Sequence, residues 1–506
     1  YTRQPVRDQS YIARGLSRIL DIDQESIEKK MENTKSEYVI LSRKVEKELA
    51  DEIRRFVNGQ IDEEGNEIPE GQQRSLTGVH LNPDSKRYYP YNTMAANVLG
   101  FVNIENEGAV GLEVKYDSDL SGEAGMTVSA KNNRGQPMLF QYEQYFDAED
   151  GSDLVLTMDI NVQIALEKGM ESMLSKFDAA KGGTGIVMDV NSGAVLGMAS
   201  YPNYDSNQSG VLYDEKLKSK LEAQLAELEE KRESYESEEK YEEAVSKAKT
   251  DTLQSQWRNK CIDSTYEPGS TFKPITLAAA LEEGVINMNS TYDCSGSLMV
   301  KGWDKPFNCS RAAPGHGHQI LKEAVGNSCN PAFIKIGQAL GTSKFYEYLK
   351  SFGLMEKTNV DMIGEVQGIF AEEKNFNSNL VSLASYSFGQ TFNVTPLELI
   401  RAQAACVNGG YLYEPYMVEQ VLDGEGNILR QHETKCIRQV VSEETSAKVR
   451  ECLEYVVAEG TGRNGQVTGY RVGGKTGTAD KTGTRTASNP KGDIVVSFMC
   501  FAPADD

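Results

Sequence analysis

The chain has 506 residues, 39% of them apolar, and a formal charge of −22. That length allows two to four domains with ordinary cores, and an acidic chain without a basic run excludes a nucleic-acid partner. An anionic substrate would need a locally positive site on such a surface, and no apolar run reaches the ~18 residues of a membrane helix. The chain begins at Tyr1, which reads as a fragment whose targeting or anchoring segment was removed. Eight cysteines do not make a disulfide scaffold in a chain of this size.

Residues 1–56 read as helical and charged, with Ile19, Leu20 and Ile27 followed by a Lys/Glu-rich run through Arg54 and Arg55. Residues 57–150 are rich in Gly, Asn, Asp and Pro, with strand-like pieces at 96–102 and 126–130. Residues 1–150 are therefore expected to form one elongated, non-catalytic α+β module. Near residue 151 the pattern changes. Asp153 to Met158 reads as a strand, and Asp159 can cap a helix through Val162, Ala165, Leu166 and Met170. Residues 184–190 and 194–200 are apolar runs joined by Asn191-Ser192-Gly193, a hairpin that opens a core sheet.

Residues 212–250 form a charged insertion. Leu217, Leu221, Leu225 and Leu228 recur at helical spacing, too briefly for a coiled coil. The expectation is a solvated helix or helical hairpin with one seam on the body, and the alternative is a partner-binding arm.

The stretch Tyr266-Glu267-Pro268-Gly269-Ser270-Thr271-Phe272-Lys273-Pro274 is the centre around which the rest of the chain is organised. If a helix starts here, Ser270 and Lys273 share a face. Ile275 to Leu281 is apolar nearly all round, the pattern of a buried helix. A serine at the head of such a helix, with a lysine in reach, suits acyl transfer: a hydroxyl attacks and an amine takes its proton. Further along, Ser328-Cys329-Asn330 places a hydroxyl and an amide on one side of a tight bend. A helix is expected from about Pro396, and strands at 472–479 and 494–501. The first of these holds Gly473-Gly474-Lys475-Thr476-Gly477-Thr478. Lys475, Thr476 and Thr478 would make a carboxylate pocket, with glycines allowing close backbone approach and a peptide pairing with the strand edge. Gly469 to Thr476 also fits the phosphate-loop pattern letter for letter, but no helical period comes after it, so nucleotide binding is rejected.

The order Ser-x-x-Lys, Ser-x-Asn, Lys-Thr-Gly resembles that of penicillin-binding proteins and class A β-lactamases, with Cys329 in a middle slot usually held by Asp. Further stretches resemble the class B penicillin-binding proteins, monofunctional peptidoglycan D,D-transpeptidases. They are Trp257-Arg258-Asn259, His316-Gly317, Phe388-Gly389-Gln390, Val394-Thr395-Pro396, Asn408-Gly409-Gly410 and, in the N-terminal module, Arg87 to Pro90, Leu99 to Phe101 and Gly108 to Glu113. Thr391 departs from the family, standing where a second glycine is usual. The insertion looks longer than usual, and the family's sheet normally continues past Asp506.

The resemblance implies an α+β fold: a transpeptidase domain over 151–506, incomplete at its C-terminus, with an antiparallel sheet flanked by helices and an all-helical lobe. An elongated pedestal or dimerisation-like domain over 1–150 precedes it. It implies catalytic roles for Ser270, Lys273, Ser328, Asn330 and Lys475, and substrate binding by Thr476, Gly477 and Thr478. The substrate would be a peptidoglycan stem peptide ending in D-Ala-D-Ala, with β-lactam antibiotics acylating Ser270. A membrane glycosyltransferase partner, one N-terminal membrane anchor and an extracytoplasmic catalytic domain are also implied. A carboxypeptidase or β-lactamase relative and a non-catalytic β-lactam sensor are the competing readings, since motifs do not tell water from an amine as the second nucleophile.

Serine acyl transfer needs no cofactor. Cys294, Cys309, His316 and His318 nevertheless read as a Cys₂His₂ set for a structural zinc. A Cys294–Cys309 disulfide, free buried thiols, and a His316-Gly317 serving only a loop are the alternatives. Cys261, Cys406, Cys436, Cys452 and Cys500 read as core or partly buried thiols. Cys329, flanked by motif residues, is expected to be exposed and oxidisable.

Overall fold

A computed structural model describes residues 9–32, 39–123, 125–128, 144–179, 181–481, 484, 486 and 492–505. Two compact units divide the chain: residues 1–89 with 102–107, and residues 90–101 with 108–506. Residues 90–101 and 108–150, grouped by composition with the N-terminal module, are part of the second compact unit. Among the described residues no helix is long and apolar enough to cross a membrane.

The first unit is built on helices Gln9–Leu20, Gln24–Met31 and Lys47–Val57. Ile12, Leu16 and Ile19 fall one helical turn apart and close a small core with Ile27, Ile53 and Phe56. Gly15 lies under the Phe56 ring, where a Cβ would come within 2.1 Å of Cζ. Asp23 caps the second helix by accepting from Ser26 N at 2.9 Å.

The 96–102 stretch is not a strand throughout. Ala96–Leu99 is a helical turn, and only Phe101–Val102 is extended. Short apolar runs carry no period that separates the two states. Asn97 decides it, donating to Gln256 O at 3.1 Å and Arg258 O at 3.0 Å, and Gly100 ends the turn at φ +83°. Met126–Val128 is a strand, and residues 129–130 lie outside the described residues.

The expected hairpin pairs Thr184–Met188 with Val195–Ser200 antiparallel. Helix Ile160–Lys176 is capped by Asp159, which accepts from Asn161 N and Val162 N. The insertion is a helical hairpin, Glu215–Glu230 and Glu238–Trp257, running past residue 250. Its seam is on the second arm, where Ala248, Thr252 and Gln256 are buried. Gly473–Asp480 pairs antiparallel with Ile494–Phe501, Lys475 opposite Met499. No helix comes after Gly473–Asp480 among the described residues, so the phosphate-loop pattern lacks its required context.

The helical lobe surrounds Lys273–Glu282, whose side chains from Lys273 to Leu281 are all buried. Helices Asn330–Leu340, Pro396–Val407 and Glu443–Ala458 pack around it, sharing one core with Leu277, Ala280, Ile334, Ala402 and Val449. Thr395 and Glu398 cap Pro396–Val407 reciprocally.

Candidate active site

Ser270 does not sit inside the buried helix. It lies on a 3-10 turn, Gly269–Phe272, that leads into Lys273–Glu282. Pro274 at the helix start makes this natural, since proline is tolerated in a first turn and not deeper. The turn is clamped on two sides. Gly269 N donates to Gly389 O at 2.7 Å, and a Cβ on Gly389 would lie 1.9 Å from Gly269 O. On the other side, a Cβ on Gly269 would lie 2.7 Å from Thr478 O. A Cβ on Gly477 would meet Thr271 Cγ2 at 2.8 Å and Pro268 O at 3.1 Å. Glycine at these positions lets the nucleophile turn rest on the strand backbone.

Lys273, Ser328, Asn330 and Lys475 form one hydrogen-bonded group. Lys273 Nζ donates to Ser328 O at 2.7 Å, Ser328 Oγ at 3.1 Å and Asn330 Oδ1 at 2.8 Å. An ammonium has three hydrogens, so these acceptors use all of them and Ser270 is not among the partners. Lys475 Nζ reaches the same Ser328 Oγ from the strand at 2.9 Å and also donates to Thr476 O at 2.9 Å. Asn330 Nδ2 is anchored by Asn308 O at 3.0 Å. Ser328 turns the bend in the left-handed region at φ +52°.

Both lysines are 0% exposed. Burial drives the Lys273 ammonium down to about 7, against a smaller upward pull from the Cys329 and Cys309 thiols. Burial and then the charge of Lys273 hold Lys475 well below its ordinary value. Sharing Ser328 Oγ keeps the two nitrogens no more than about 6 Å apart, where two ammoniums would repel by at least about 3 kcal/mol at an effective dielectric near 20. The group therefore favours one neutral amine next to one cation.

The strand pleat separates the rest of the third motif. Lys475 and Gly477 are buried on one face, while Thr476 is half-buried and Thr478 exposed on the other. Thr476 Oγ1 meets Thr461 Oγ1 at 3.1 Å, so the hydroxyls gather apart from the Lys475 ammonium. Nothing in the sequence points to Thr461; it sits on a loop after helix Glu443–Ala458, where its N–H donates to Gly326 O at 3.0 Å. Only the fold brings it to the strand.

The sulfur chemistry corrects four readings. All eight cysteines are free thiols, so Cys294 and Cys309 are not bridged. His318 is not with the cysteines: strand pairing puts it opposite Asp293 on the exposed face, where the two side chains meet at 2.8 Å. Cys329 takes its place, fully buried rather than exposed, beside Cys294, Cys309 and His316. Cys436 and Cys500 are exposed, unlike Cys261, Cys406 and Cys452.

Residues 183–506 match the penicillin binding protein transpeptidase domain. The chain belongs to the penicillin-binding protein transpeptidase family. Residues 1–156 match the penicillin-binding protein dimerisation domain, so the transpeptidase fold is preceded by a non-catalytic domain, as the motifs implied. Stage V sporulation protein D of Bacillus subtilis (strain 168) is 38% identical over 434 residues, 85% of this chain and 60% of that protein. Peptidoglycan D,D-transpeptidase FtsI of Escherichia coli (strain K12) is 25% identical over 474 residues, 93% of this chain and 65% of that protein. The chain thus spans less than two thirds of the length of either relative. A putative peptidoglycan glycosyltransferase from Atopobium parvulum DSM 20469 superposes with a TM-score of 0.64 at 26% identity, covering 83% of each chain. Penicillin Binding Protein 2X from Streptococcus thermophilus gives 0.69 at 22% identity, over 99% of this chain and 69% of that one, a likeness of fold.

Proposed function

We propose that this chain is a serine D,D-transpeptidase that cross-links peptidoglycan stem peptides ending in D-Ala-D-Ala through an acyl-enzyme on Ser270. The observation that carries the reading is the Ser328 hydroxyl held between two buried lysines, at 3.1 Å from Lys273 and 2.9 Å from Lys475. A lysine brought down to about 7 is a competent base at neutral pH. Neutral Lys273 has a free lone pair and takes the Ser270 hydroxyl proton as Oγ attacks the penultimate D-Ala carbonyl. Catalytic hydrogen bonds of this kind commonly close only around substrate.

The N–H groups of Ser270 and Thr478 form the oxyanion hole, each worth about 3 kcal/mol. Ser328 passes a proton to the departing D-Ala amine, with Lys475 fixing the hydroxyl and supplying positive charge. Asn330 holds the stem-peptide backbone. Gly477 keeps the strand backbone open to the substrate, while Thr476 and Thr478, with Thr461 beside them, bind the terminal carboxylate. An amine of a second stem peptide then takes the acyl group from Ser270. β-Lactams acylate Ser270 and leave slowly because no acceptor amine reaches them. The acyl transfer itself uses no cofactor. An N-terminal membrane anchor, an extracytoplasmic site and a membrane glycosyltransferase partner complete the proposal.

Incubation with a fluorescent penicillin, followed by mass mapping of the labelled peptide, tests the nucleophile. Label on Ser270 is expected. Label elsewhere, or none, refutes the assignment. Transfer of a stem peptide to an amine faster than to water then separates cross-linking from hydrolysis.

A further inference from the structure

Four soft donors converge behind the Ser328–Asn330 bend, and no step of acyl transfer uses them. The sulfurs of Cys294, Cys309 and Cys329 and a ring nitrogen of His316 all lie within 4.8 Å of one another. Distant parts of the chain supply them. Cys294 ends the strand Thr291–Cys294, and Cys329 precedes helix Asn330–Leu340. Cys309 and His316 lie at the two ends of a loop that folds over the strand end. Cys309 N donates to Gly296 O at 2.9 Å. Gly315, at φ +78°, approaches so closely that a Cβ would lie 2.3 Å from Cys294 O. The fold thus spends two constrained backbone contacts on gathering these side chains.

The two separations from Cys309 are those of a tetrahedron around an ion, and all four donors lie within 4.8 Å of one another. Zinc bonds of about 2.3 Å to sulfur and about 2.0 Å to nitrogen place ligand sulfurs about 3.8 Å apart and sulfur and nitrogen about 3.5 Å apart. Cys309 Sγ lies 4.0 Å from Cys329 Sγ and 3.5 Å from His316 Nδ1. Three thiolates and an imidazole form a closed structural set, with no position left for water or substrate. The softness of the donors selects zinc over magnesium, calcium or manganese.

We propose that Cys294, Cys309, His316 and Cys329 bind one zinc ion, and that this ion clamps the bend carrying Ser328 and Asn330. Metal binding does not depend on the proposed function; the clamp does rest on it. The link is covalent geometry. Cys329 is the residue between the two motif side chains, so a metal bond to its sulfur tethers its Cα, and with it the two flanking peptides, to the strand end at Cys294. Ser328 needs such support, because a non-glycine residue in the left-handed region persists only where its surroundings over-determine it. Pinned at Cys329, Ser328 O and Ser328 Oγ stay within reach of Lys273. The metal acts by position alone and touches no reacting atom.

The test uses the full chain purified under reducing conditions from zinc-supplemented growth. Elemental analysis is expected to give about one zinc per chain. Cobalt exchanged into the wild-type protein is expected to show thiolate-to-metal charge-transfer absorption and tetrahedral visible bands. Cys294→Ser and His316→Ala lose the metal, whereas His318→Ala keeps it. Cobalt in the wild type decides the matter even if the cysteine variant fails to fold. Zinc below a tenth of the chain concentration, a disulfide joining two of these cysteines, or metal lost in His318→Ala and kept in His316→Ala overturns the site. Removing the zinc with a chelator is expected to slow fluorescent-penicillin acylation at least tenfold, with recovery on adding zinc back. Unchanged acylation after removal overturns the clamp. Absence of label in zinc-loaded protein would instead count against Ser270 chemistry, so the two failures are distinguishable.

Discussion

Acylation by this chain should track the ionisation of a lysine whose charge has been squeezed out by burial. A lysine with an ordinary value of 10.5 is neutral in about 3 of every 10,000 molecules at pH 7; one at about 7 is neutral in half of them. The gain in competent base is about 1,600-fold, or about 4 kcal/mol at 1.36 kcal/mol per tenfold. The assay is the second-order rate constant for acylation by a chromogenic β-lactam between about pH 5.5 and about pH 9.5. The rate should rise about tenfold per unit below pH 7 and level off above it. Lys273→Arg, which stays charged, should lose that rising limb and about 10²–10⁴ of the rate. A rate still climbing tenfold per unit between about pH 8 and about pH 9.5 would return the base to its ordinary value and refute the reasoning. Stability has its own sign. The folded value of Lys273 lies below the unfolded one, so between about 7 and 10.5 the unfolded chain binds more protons. Stability should increase as pH rises through that window, with the cost of the buried ammonium present in full below it. The urea midpoint should therefore move upward from pH 7 to pH 9.

Gly389→Ala should cost about 1–3 kcal/mol and slow acylation, since φ is +87° and the new Cβ would press on Gly269 O at 1.9 Å. Chemical denaturation beside penicillin labelling checks it, and wild-type values in both would refute the clamp on the nucleophile turn. Thr391→Gly should stabilise the fold, because a β-branched residue at φ +69° carries about 1–2 kcal/mol of strain. Its hydrogen bond to Ser385 Oγ at 2.6 Å returns about 1 kcal/mol of that, leaving a net gain of a few tenths to about 1 kcal/mol in thermal unfolding. Thr461→Val should raise KM for a D-Ala-D-Ala peptide about three- to tenfold with kcat little changed, as expected of a carboxylate contact made equally before and during the reaction. An equal fall in kcat would place Thr461 elsewhere in the chemistry.

The residues proposed to carry the chemistry could be picked out from the sequence because their types are restricted and their order is specific. Ser270 and Lys273 announced themselves by a buried-helix pattern behind them, and strand Gly473–Asp480 by its pairing partner about twenty residues on. What could not be read was three-dimensional register. His318 and His316 are equivalent in spacing, yet the pairing of Gly317 with Cys294 sends His318 to the exposed face beside Asp293. Cys329 looked exposed because its neighbours are motif residues. Left-handed Ser328 is followed by an extended Cys329, however, and that side chain is fully buried. Thr461 had no signal at all, being a loop residue whose place depends on the packing of helix Glu443–Ala458. The 96–99 turn failed for a different reason, a short apolar run whose state was settled by one buried asparagine.

The positions between the chemical residues turn out to be as constrained as the residues themselves. Three stretches far apart in sequence meet within hydrogen-bonding distance, and at each junction the backbone comes closer than a side chain permits. Gly269 lies against Thr478 O and Gly389, and Gly477 lies against Thr271 and Pro268. Loss of one methyl-sized gap would separate the turn bearing Ser270 from the strand bearing Lys475, although neither reactive group had changed. The Ser328 bend is the exception, because no glycine relieves it. Its strain must be offset from outside, and the buried sulfur of Cys329 is the handle it offers. A serine or alanine at 329 would keep both motif letters and remove that handle. The bend would then be held by its backbone bonds to Val325 O and Ala324 O, the Asn330 bond to Asn308 O and the lysine hydrogen bonds, the last being those the proposed reaction would break and remake.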